Sequence, residues 1–531
     1  MPSTPPEQAS KRPRGPRPKA PVAKATGAVK APAKPRPEPE PKPEPAPAPA
    51  VVPDDRPRRR LRLRLRARKA GRRTRGRIMI VSALAGAVAA MVGLRLAGGP
   101  SGEVQVALLS GSGGPRIELV AGDATLGRVA KALAEQGNGG LLERGKAGWV
   151  LARTLVVKPG AELDVDGKLR LVSEPGQLVG LEARGGRINV RGATVSSWDR
   201  RTGAPDTDPA DGRAWVLAAD RASLDVLDAS MLELGYDQPE RTGVAWRAAG
   251  TGGEVRGSTF SGNFIGAATA GSAPMRVRDS LFTRARLYGF APVATPGLVL
   301  DNDEFSANGK HGLFLTASPR AVVSASRASG NAGHGMVVFQ RSDDVQVRGA
   351  EVHDNGLAGI DVNDADRVVL SDDVVYANWT GVTVHDGAEA ATLLRDRLTA
   401  NRVDGLRVSA KGGVGAMAAN LLDQNYRAGV YLDGGTAIVG PGNRMTGNEV
   451  GLWVGGDTVR ASVTSNVIAA NVLDGVHLEN GAGPLDLRAN TIRSNGKAAF
   501  SVERPGAARP YAHSNAISDH EDGLERLRGA Q

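Results

Sequence analysis

Side chains with acid, base or ion-pairing groups follow a series of recurring glycines at fixed offsets. Asp361, Thr383 and Arg407 each come two residues after a glycine, and His385 comes four residues after Gly381. Carboxylates, imidazoles and guanidinium groups transfer protons and neutralise charge in catalytic sites. If each glycine begins a strand of one sheet, such residues stack in steps of roughly 4.8 Å. The pattern predicts either a ligand-binding column or a solvated polar ladder.

His385 is followed directly by Asp386, and adjacent residues point to opposite faces of an ideal strand. A catalytic His–Asp pair is therefore not expected here unless Asp386 has entered a turn. Other histidines are scattered without metal-ligand spacing. We expect surface positions for His334, His353 and His477.

Metal and thiol chemistry have little support in the sequence. The chain contains no cysteine, which excludes thiol catalysis, disulfides and cysteine-based zinc sites. Aspartate-rich segments at 206–211 and 364–366 lack the regular nonapeptide pattern of calcium-binding solenoids. We expect no metal and no cofactor.

The glycines recur every 22 to 24 residues through the second half of the chain. A period of this length is typical of a solenoid, in which each repeat packs only against its neighbours. The glycine suits a tight corner with positive φ, and a recurring asparagine four residues before it predicts a stacked side-chain ladder. The glycines are Gly243, Gly266, Gly289, Gly312, Gly335, Gly359, Gly381, Gly405, Gly429, Gly451 and Gly475, and Ala499 takes the next place. The asparagines are Asn308, Asn331, Asn355, Asn401, Asn425 and Asn471.

Residues one and three after each glycine are apolar, whereas residues two and four are mixed. Such alternation is typical of a strand with one buried face, and no helical segment separates the repeats. The sequence therefore predicts an all-β fold, a right-handed parallel β-helix spanning residues 149–505. The predicted core includes Leu313, Val338, Ile360, Val384, Leu406, Leu432, Val454 and Leu478. The predicted outward residues include Phe314, Thr316, Val337, Phe339, Tyr431 and Trp453.

Residues 95–148 are predicted to be a linker and an N-terminal cap, and residues 506–531 a C-terminal cap or tail. Asp123 is expected to begin a short amphipathic helix that Gly137 ends. One helix before a solenoid is best explained as a cover for the open end of the first coil.

The net charge of +12 resides entirely in the N-terminal tail. Residues 1–77 hold 23 Lys and Arg against 6 Asp and Glu, and the remainder holds 45 against 50. The repeats therefore carry no global positive charge for nucleic-acid binding. The first 55 residues, rich in Pro, Ala and Lys, are predicted to be disordered.

A basic segment at 56–77 precedes an uncharged run at 78–94. Seventeen residues at about 1.5 Å each just cross a hydrocarbon core of about 30 Å. Arginine on one flank is the positive-inside pattern. The sequence predicts a single-pass membrane protein with a cytoplasmic N-terminus and an extracytoplasmic β-helix.

Several strings resemble the periplasmic mannuronan C-5 epimerases of alginate-producing bacteria over roughly residues 120–480. They occur in the order Trp198-Asp-Arg-Arg-Thr-Gly203, Leu234-Gly-Tyr-Asp237, Tyr288-Gly-Phe290, Gly309-Lys-His-Gly312, Gly359-Ile-Asp-Val-Asn363, Gly381-Val-Thr-Val384 and Gly405-Leu-Arg-Val408. The resemblance implies epimerisation at C-5 of uronic acid residues within a polymer. It also implies that Lys310, His311, Asp361, Thr383 and Arg407 lie in a substrate groove.

The resemblance fails at the two groups that the reaction needs most. The family's base is a histidine in an Asp-Pro-His-Asp string after the Tyr-Gly corner, and Val293 stands in its place. The family's neutralising arginine falls on Ala317. Neither valine nor alanine can take a proton or offset a carboxylate, so the family's mechanism is not expected to operate.

Three functions remain compatible with the sequence. The preferred one is a membrane-anchored, extracytoplasmic protein that binds an acidic polysaccharide. The second is an active epimerase or lyase whose chemistry has moved to Asp361, His385 and Arg407. The third is a structural solenoid in a polymer synthesis or export assembly. Product analysis on a polyuronate separates the first two.

Overall fold

The computed structural model describes residues 103–111 and 114–527, which form a parallel β-helix. Each regular coil contributes one strand to each of three sheets, here called sheets 1, 2 and 3 in chain order. Strands of successive coils pair in parallel, as in Leu313–Thr316 with Met336–Phe339. Antiparallel pairs occur in the irregular N-terminal part, for example between Gln105–Gly111 and Gly114–Thr125. The predicted parallel β-helix is confirmed.

Sheets 1 and 2 begin on the long strand Gly114–Thr125, whose two halves pair with different partners. Sheet 1 continues through Leu155–Val157, Gly180–Arg184, Trp215–Ala219, Gly243–Arg247, Ile265–Ala270, Phe290–Val293, Leu313–Thr316, Met336–Phe339, Ala358–Asn363, Thr380–His385, Leu406–Ser409, Ala428–Asp433, Val450–Val454, Asp474–Leu478, Ala498–Val502 and Gly523–Leu527. Sheet 2 continues through Ala161–Val165, Arg187–Arg191, Ser223–Leu227, Glu254–Arg256, Arg276–Arg278, Val299–Asp301, Val322–Ser324, Gln346–Arg348, Val369–Ser371, Ala391–Leu394, Gly413–Ala418, Gly435–Val439, Thr458–Thr464 and Leu485–Arg488.

Sheet 3 starts with the hairpin Leu142–Gly145 and Gly148–Leu151. It continues through Lys168–Leu171, Thr194–Asp199, Ser230–Leu232, Thr259–Ser261, Leu281–Thr283, Glu304–Ser306, Arg327–Ser329, Glu351–His353, Val374–Tyr376, Arg397–Thr399, Leu421–Asp423, Arg444–Thr446, Val467–Ala469, Thr491–Arg493 and Ala516–Ser518. The short strand Ala204–Pro205 folds back on Thr194–Asp199 in an antiparallel pair.

A helix at Leu126–Glu135 packs its Leu126, Val129 and Leu133 side chains into the core at the first coil. The expected N-cap at Asp123 is wrong, because the strand Gly114–Thr125 runs through that residue and Thr125 caps the helix. At the other end, the ladders continue to Leu527, past the predicted boundary at residue 505. A one-turn helix, Arg509–Ala512, lies between the sheet 1 strand Ala498–Val502 and the last strand of sheet 3, Ala516–Ser518.

The apolar side chains one and three residues after the recurring glycines fill a continuous core. Every predicted core residue belongs to it and is almost completely buried. Successive coils place like side chains in register, so that Leu313, Met336, Ile360 and Val382 occupy the same column. The core therefore forms by repetition of one strand pattern, as the alternation predicted.

The recurring glycines have a different role from the one predicted. Gly359 does not have positive φ, but an added Cβ there meets Val375 Cγ1 at 2.5 Å and the Gly381 carbonyl oxygen at 2.9 Å. Glycine is required because the next coil passes too close for any side chain. Of the recurring glycines, which all lie in the described part of the chain, only Gly243 has positive φ, and the residue five positions after most of them does, as at Ala317 and Asp386.

The predicted asparagine ladder is present and longer than expected. The Asn355 Nδ2 donates to Asn378 Oδ1 at 2.9 Å, and the Asn355 Oδ1 accepts from the Asn331 backbone N–H at 3.1 Å. Asn378 and Asn448 also belong to the ladder but come three residues before their glycines, because those turns are one residue shorter. The oxygen of each buried amide thus accepts a hydrogen bond from a backbone N–H of the preceding coil.

Among the described residues, no helix has the length and apolar character needed to cross a membrane. The predicted disordered tail at 1–55, the basic segment at 56–77 and the membrane helix at 78–94 lie outside those residues. The structure therefore describes the candidate site, and the predicted membrane anchor stays a prediction.

Candidate functional site

The outer side of sheet 1 holds the polar column predicted from the glycine offsets. Asp361, Thr383 and Arg407 occupy equivalent positions on successive coils, and Tyr431 and Trp453 continue the column. Consecutive members are separated by one strand spacing, roughly 4.8 Å. The structure therefore brings together three of the predicted groove residues and adds two aromatic rings in line with them.

His385 lies between two carboxylates next to this column. Its Nε2 is 2.9 Å from Asp361 Oδ1, and its Nδ1 is 2.8 Å from Asp386 Oδ2. The Thr383 hydroxyl donates to the same Asp361 oxygen. Asp361 is 5% exposed, whereas Asp386 is exposed to solvent.

The contact between His385 and Asp386 depends on a turn. Asp386 has φ of +54°, in the left-handed region. This conformation interrupts the strand alternation, so that two adjacent side chains meet on one side. The condition under which the sequence allowed a His–Asp pair is fulfilled.

The two carboxylates set the charge of His385. Burial acts to lower the pKa of His385, but the hydrogen bonds and charges of Asp361 and Asp386 raise it to about 9. Burial likewise acts to raise the pKa of Asp361, and its histidine and Thr383 partners nevertheless hold it well below the usual range. At neutral pH, His385 is therefore an imidazolium that donates from both ring nitrogens.

His311 and His334 are neutral and accept backbone hydrogen bonds on Nδ1. The His334 backbone N–H donates to Nδ1 of His311 at 3.0 Å, and the Ala358 N–H donates to Nδ1 of His334 at 3.2 Å. The remaining ring proton must then lie on Nε2. Burial lowers the pKa of His311 to about 3 and also lowers that of His334.

Of the three histidines expected at the surface, His477 is buried, whereas His334 and His353 are partly exposed. His477 is 1% exposed and packs edge-on against Trp453, with ring centroids 4.5 Å apart. His334 is half-buried and lies 5.1 Å from His311, and His353 stacks on Tyr376 at 4.7 Å. These rings are covered because side chains in one column stack from coil to coil.

Apolar side chains occupy the region where the resemblance places the acid–base groups. Val293 is 38% exposed on the outer side of sheet 1 and pairs with Thr316 in the ladder. Phe314 is half-buried and stacks on Tyr288 at 4.9 Å. Val337, predicted to face outward, is on the outer side but only 3% exposed because its neighbours cover it. Lys310 is half-buried at the margin of this region.

An arginine–aromatic cluster continues the column toward the C-terminus. Arg427 lies 4.3 Å from the centre of the Tyr431 ring and pairs with the buried Asp404. Arg407 lies 5.2 Å from the same ring and 3.5 Å from Asp433. Tyr431, predicted to face outward, is only 9% exposed because the guanidinium groups cover it.

Trp453 completes this cluster. Its indole N–H donates to Glu479 Oε1 at 2.7 Å, which fixes the ring on the outer side of sheet 1. Sequence reasoning missed Arg427 and Asp404, although Arg427 comes two residues before a recurring glycine, the same offset as Lys310. The arrangement can bind polar or anionic rings through guanidinium groups and aromatic faces.

Among the described residues, no group of three or more His, Cys, Asp or Glu side chains could hold a metal ion.

Comparisons with known proteins relate this architecture to one family. The sequence matches the family described as the right handed beta helix region at residues 242–398 and 388–517. The crystal structure of the periplasmic alginate epimerase AlgG is similar with a TM-score of 0.51 and 15% identity, covering 86% of this chain and all of the epimerase chain. A double mutant of that epimerase gives a TM-score of 0.55 with the same identity and coverage. No curated protein sequence gives a match.

Proposed function

Because the chain belongs to the right-handed β-helix family, we propose that it binds an acidic polysaccharide along the outer side of sheet 1. In this proposal the β-helix is extracytoplasmic and anchored to the membrane by residues 78–94. It resembles mannuronan C-5 epimerases but lacks their catalytic base and neutralising arginine.

The observation that carries the proposal is the column from Asp361 to Trp453. The column, together with His385 beside it, presents imidazolium, guanidinium and aromatic groups on successive coils. A linear polymer lying along the helix axis meets such groups at regular intervals. The shared fold with a protein described as an alginate epimerase supports a polysaccharide as the ligand class.

Two features argue against the family's reaction. Removal of a proton next to a carboxylate requires a base and a cation at the reacting carbon. Val293 and Ala317 provide neither, and the half-buried rings of Phe314 and Phe339 lie on the coil of Ala317 and on the next coil. The nearby His311 already accepts a backbone hydrogen bond on Nδ1 and is not available as a base there.

The proposal is tested with the purified full chain and polymannuronate. We expect measurable binding, with no incorporation of deuterium at C-5 in heavy water. Loss of one acid–base group costs about a hundredfold in rate or more. Appreciable incorporation would contradict the non-catalytic part, and failure to bind any uronate polymer would contradict the ligand class.

A second candidate is an epimerase or lyase with relocated chemistry. The observation in its favour is His385, which donates to a buried and an exposed carboxylate and could act as a general acid. If deuterium incorporation is found and disappears in His385→Ala but not in His311→Ala, this candidate replaces the first.

A further inference from the structure

A shallow depression of about 760 Å³ lies on the outer side of sheet 2, a different face from the column described above. It crosses the strands Gly413–Ala418, Gly435–Val439 and Thr458–Thr464 and reaches the coils on either side. Five coils separated by roughly 4.8 Å give it a length of about 19 Å along the helix axis. Its length and direction suit an extended chain.

Two β-bulges shape this depression. Gly415 is an extra residue between Val414 and Ala416, which pair with consecutive residues of the preceding coil. Val459 is the extra residue in the strand Thr458–Thr464. A bulge redirects a side chain and interrupts the regular surface. Gly415 has no side chain, so the depression is deeper on its side, whereas the Val459 side chain projects from the surface on the other side.

The depression combines unneutralised cations with exposed apolar side chains. Among the described residues, neither Lys411 nor Arg460 has a carboxylate within 4.0 Å. Ile438 and Val459 are 50% and 60% exposed. The cations of the sheet 1 column differ, because carboxylates contact His385, Arg407 and Arg427 there.

Acidic groups also line the depression but do not cancel its charge. Asp486 forms a salt bridge with Arg488, in which Asp486 Oδ2 lies 3.1 Å from a guanidinium nitrogen. Glu389 is exposed at the opposite end. The lining therefore keeps a net positive charge, with the apolar side chains between its charged ends.

From this arrangement we propose that the sheet 2 depression is a second binding site for an anionic polysaccharide. Carboxylates of the polymer pair with Lys411 and Arg460, and the apolar faces of the sugar rings pack on Ile438 and Val459. Pockets that pair apolar contact with a few charged groups are typical ligand sites. The site shares its ligand class with the proposed function but does not depend on the sheet 1 column.

The test measures binding of polygalacturonate and of a neutral glucan to the full chain by calorimetry at low ionic strength. The variant K411Q/R460Q removes the two cations. The control variant R444Q/R493Q removes two exposed arginines from sheet 3. We expect K411Q/R460Q to weaken polygalacturonate binding about three- to tenfold. The control variant should change this binding by less than about twofold. Neither variant should change the melting temperature.

Unchanged polygalacturonate binding by K411Q/R460Q would overturn the second site and would favour a protein partner on this face. An equal loss in the control would also overturn it, since nonspecific charge attraction would then explain the binding. Arg407→Gln separates the two faces. If only that variant loses affinity, the sheet 1 proposal stands and the sheet 2 proposal fails.

Discussion

At the scale of single residues, His385 shows how a side chain's chemistry depends on its neighbours. A histidine alone titrates near neutral pH. Between Asp361 and Asp386 it stays protonated well above that range. His311, three coils away, is held neutral by burial and a backbone hydrogen bond. The same residue type is therefore a cation at one position and a neutral hydrogen-bond acceptor at another.

The raised pKa of His385 predicts a pH-dependent contribution to stability. In the unfolded chain the group titrates at 6.5, and in the folded chain at about 9. Its stabilisation is full below pH 6.5 and is lost as the pH rises through 9. His385→Gln should lower the free energy of unfolding by up to about 3 kcal/mol at pH 6 and by much less at pH 10.

Urea denaturation across this pH range measures the effect. The matched control is His513→Gln, which changes an exposed histidine and should leave the pH profile unaltered. A constant difference between His385→Gln and the wild-type chain at all pH values would contradict the ion-pair assignment.

At the scale of structural elements, side-chain ladders connect the coils. Besides the predicted asparagine ladder, a second one runs between sheets 2 and 3 through Asp373, Asp396, Asn420 and Asn443. Asp373 and Asp396 place carboxyl groups at ladder positions where the later coils have asparagine amides. Burial raises the pKa of Asp373 to about 8 and that of Asp396 to about 7. The ladder is thus more stable when these groups are protonated than when they are ionised.

Asp396→Asn should stabilise the protein at alkaline pH. Asp396 Oδ2 is buried without a hydrogen-bond partner, and an amide can be accommodated there as in Asn420. Because the folded pKa is raised above 3.8, the carboxyl group lowers stability progressively between pH 4 and 7. We expect a gain of about 1–3 kcal/mol at pH 8 that vanishes near pH 4.

Thermal melts at several pH values test this expectation. The reciprocal variant Asn443→Asp should lose stability at pH 8 by a similar amount. If Asp396→Asn is less stable than the wild-type chain at pH 8, the carboxyl group is better accommodated than the ladder implies.

At the scale of the whole molecule, charge is divided sharply along the chain. The first 77 residues carry the entire positive excess, whereas the rest is slightly acidic. This division fits a cytoplasmic basic segment next to a membrane and an external β-helix. The described residues lie beyond the predicted anchor, so the arrangement remains a prediction.

Protease added to intact spheroplasts tests this topology. We expect the β-helix to be degraded and a fragment containing the N-terminal tail to be protected, because only the part outside the membrane is accessible. Antibodies to both ends of the chain would follow the fragments, with a cytoplasmic protein as the control. Recovery of an intact, tail-less product in the cytoplasm would contradict the proposal.

The sequence by itself determined the repeat, the parallel β-helix and the core. Strand alternation decides which side chains are buried, and the period of 22 to 24 residues places them in columns. The polar column through Asp361, Thr383 and Arg407 followed from the same two facts. These features are local or periodic, and they can therefore be recognised in a single amino-acid sequence.

Only the tertiary structure decided how groups from different coils meet. The recurring glycines are explained by close approach of the next coil at Gly359, not by their own φ. The contact of His385 with Asp386 required a left-handed residue in a turn. The sheet 2 depression required two bulges, which shift register between strands far apart in sequence. Such features depend on backbone geometry and neighbouring coils, which alternation and spacing do not specify.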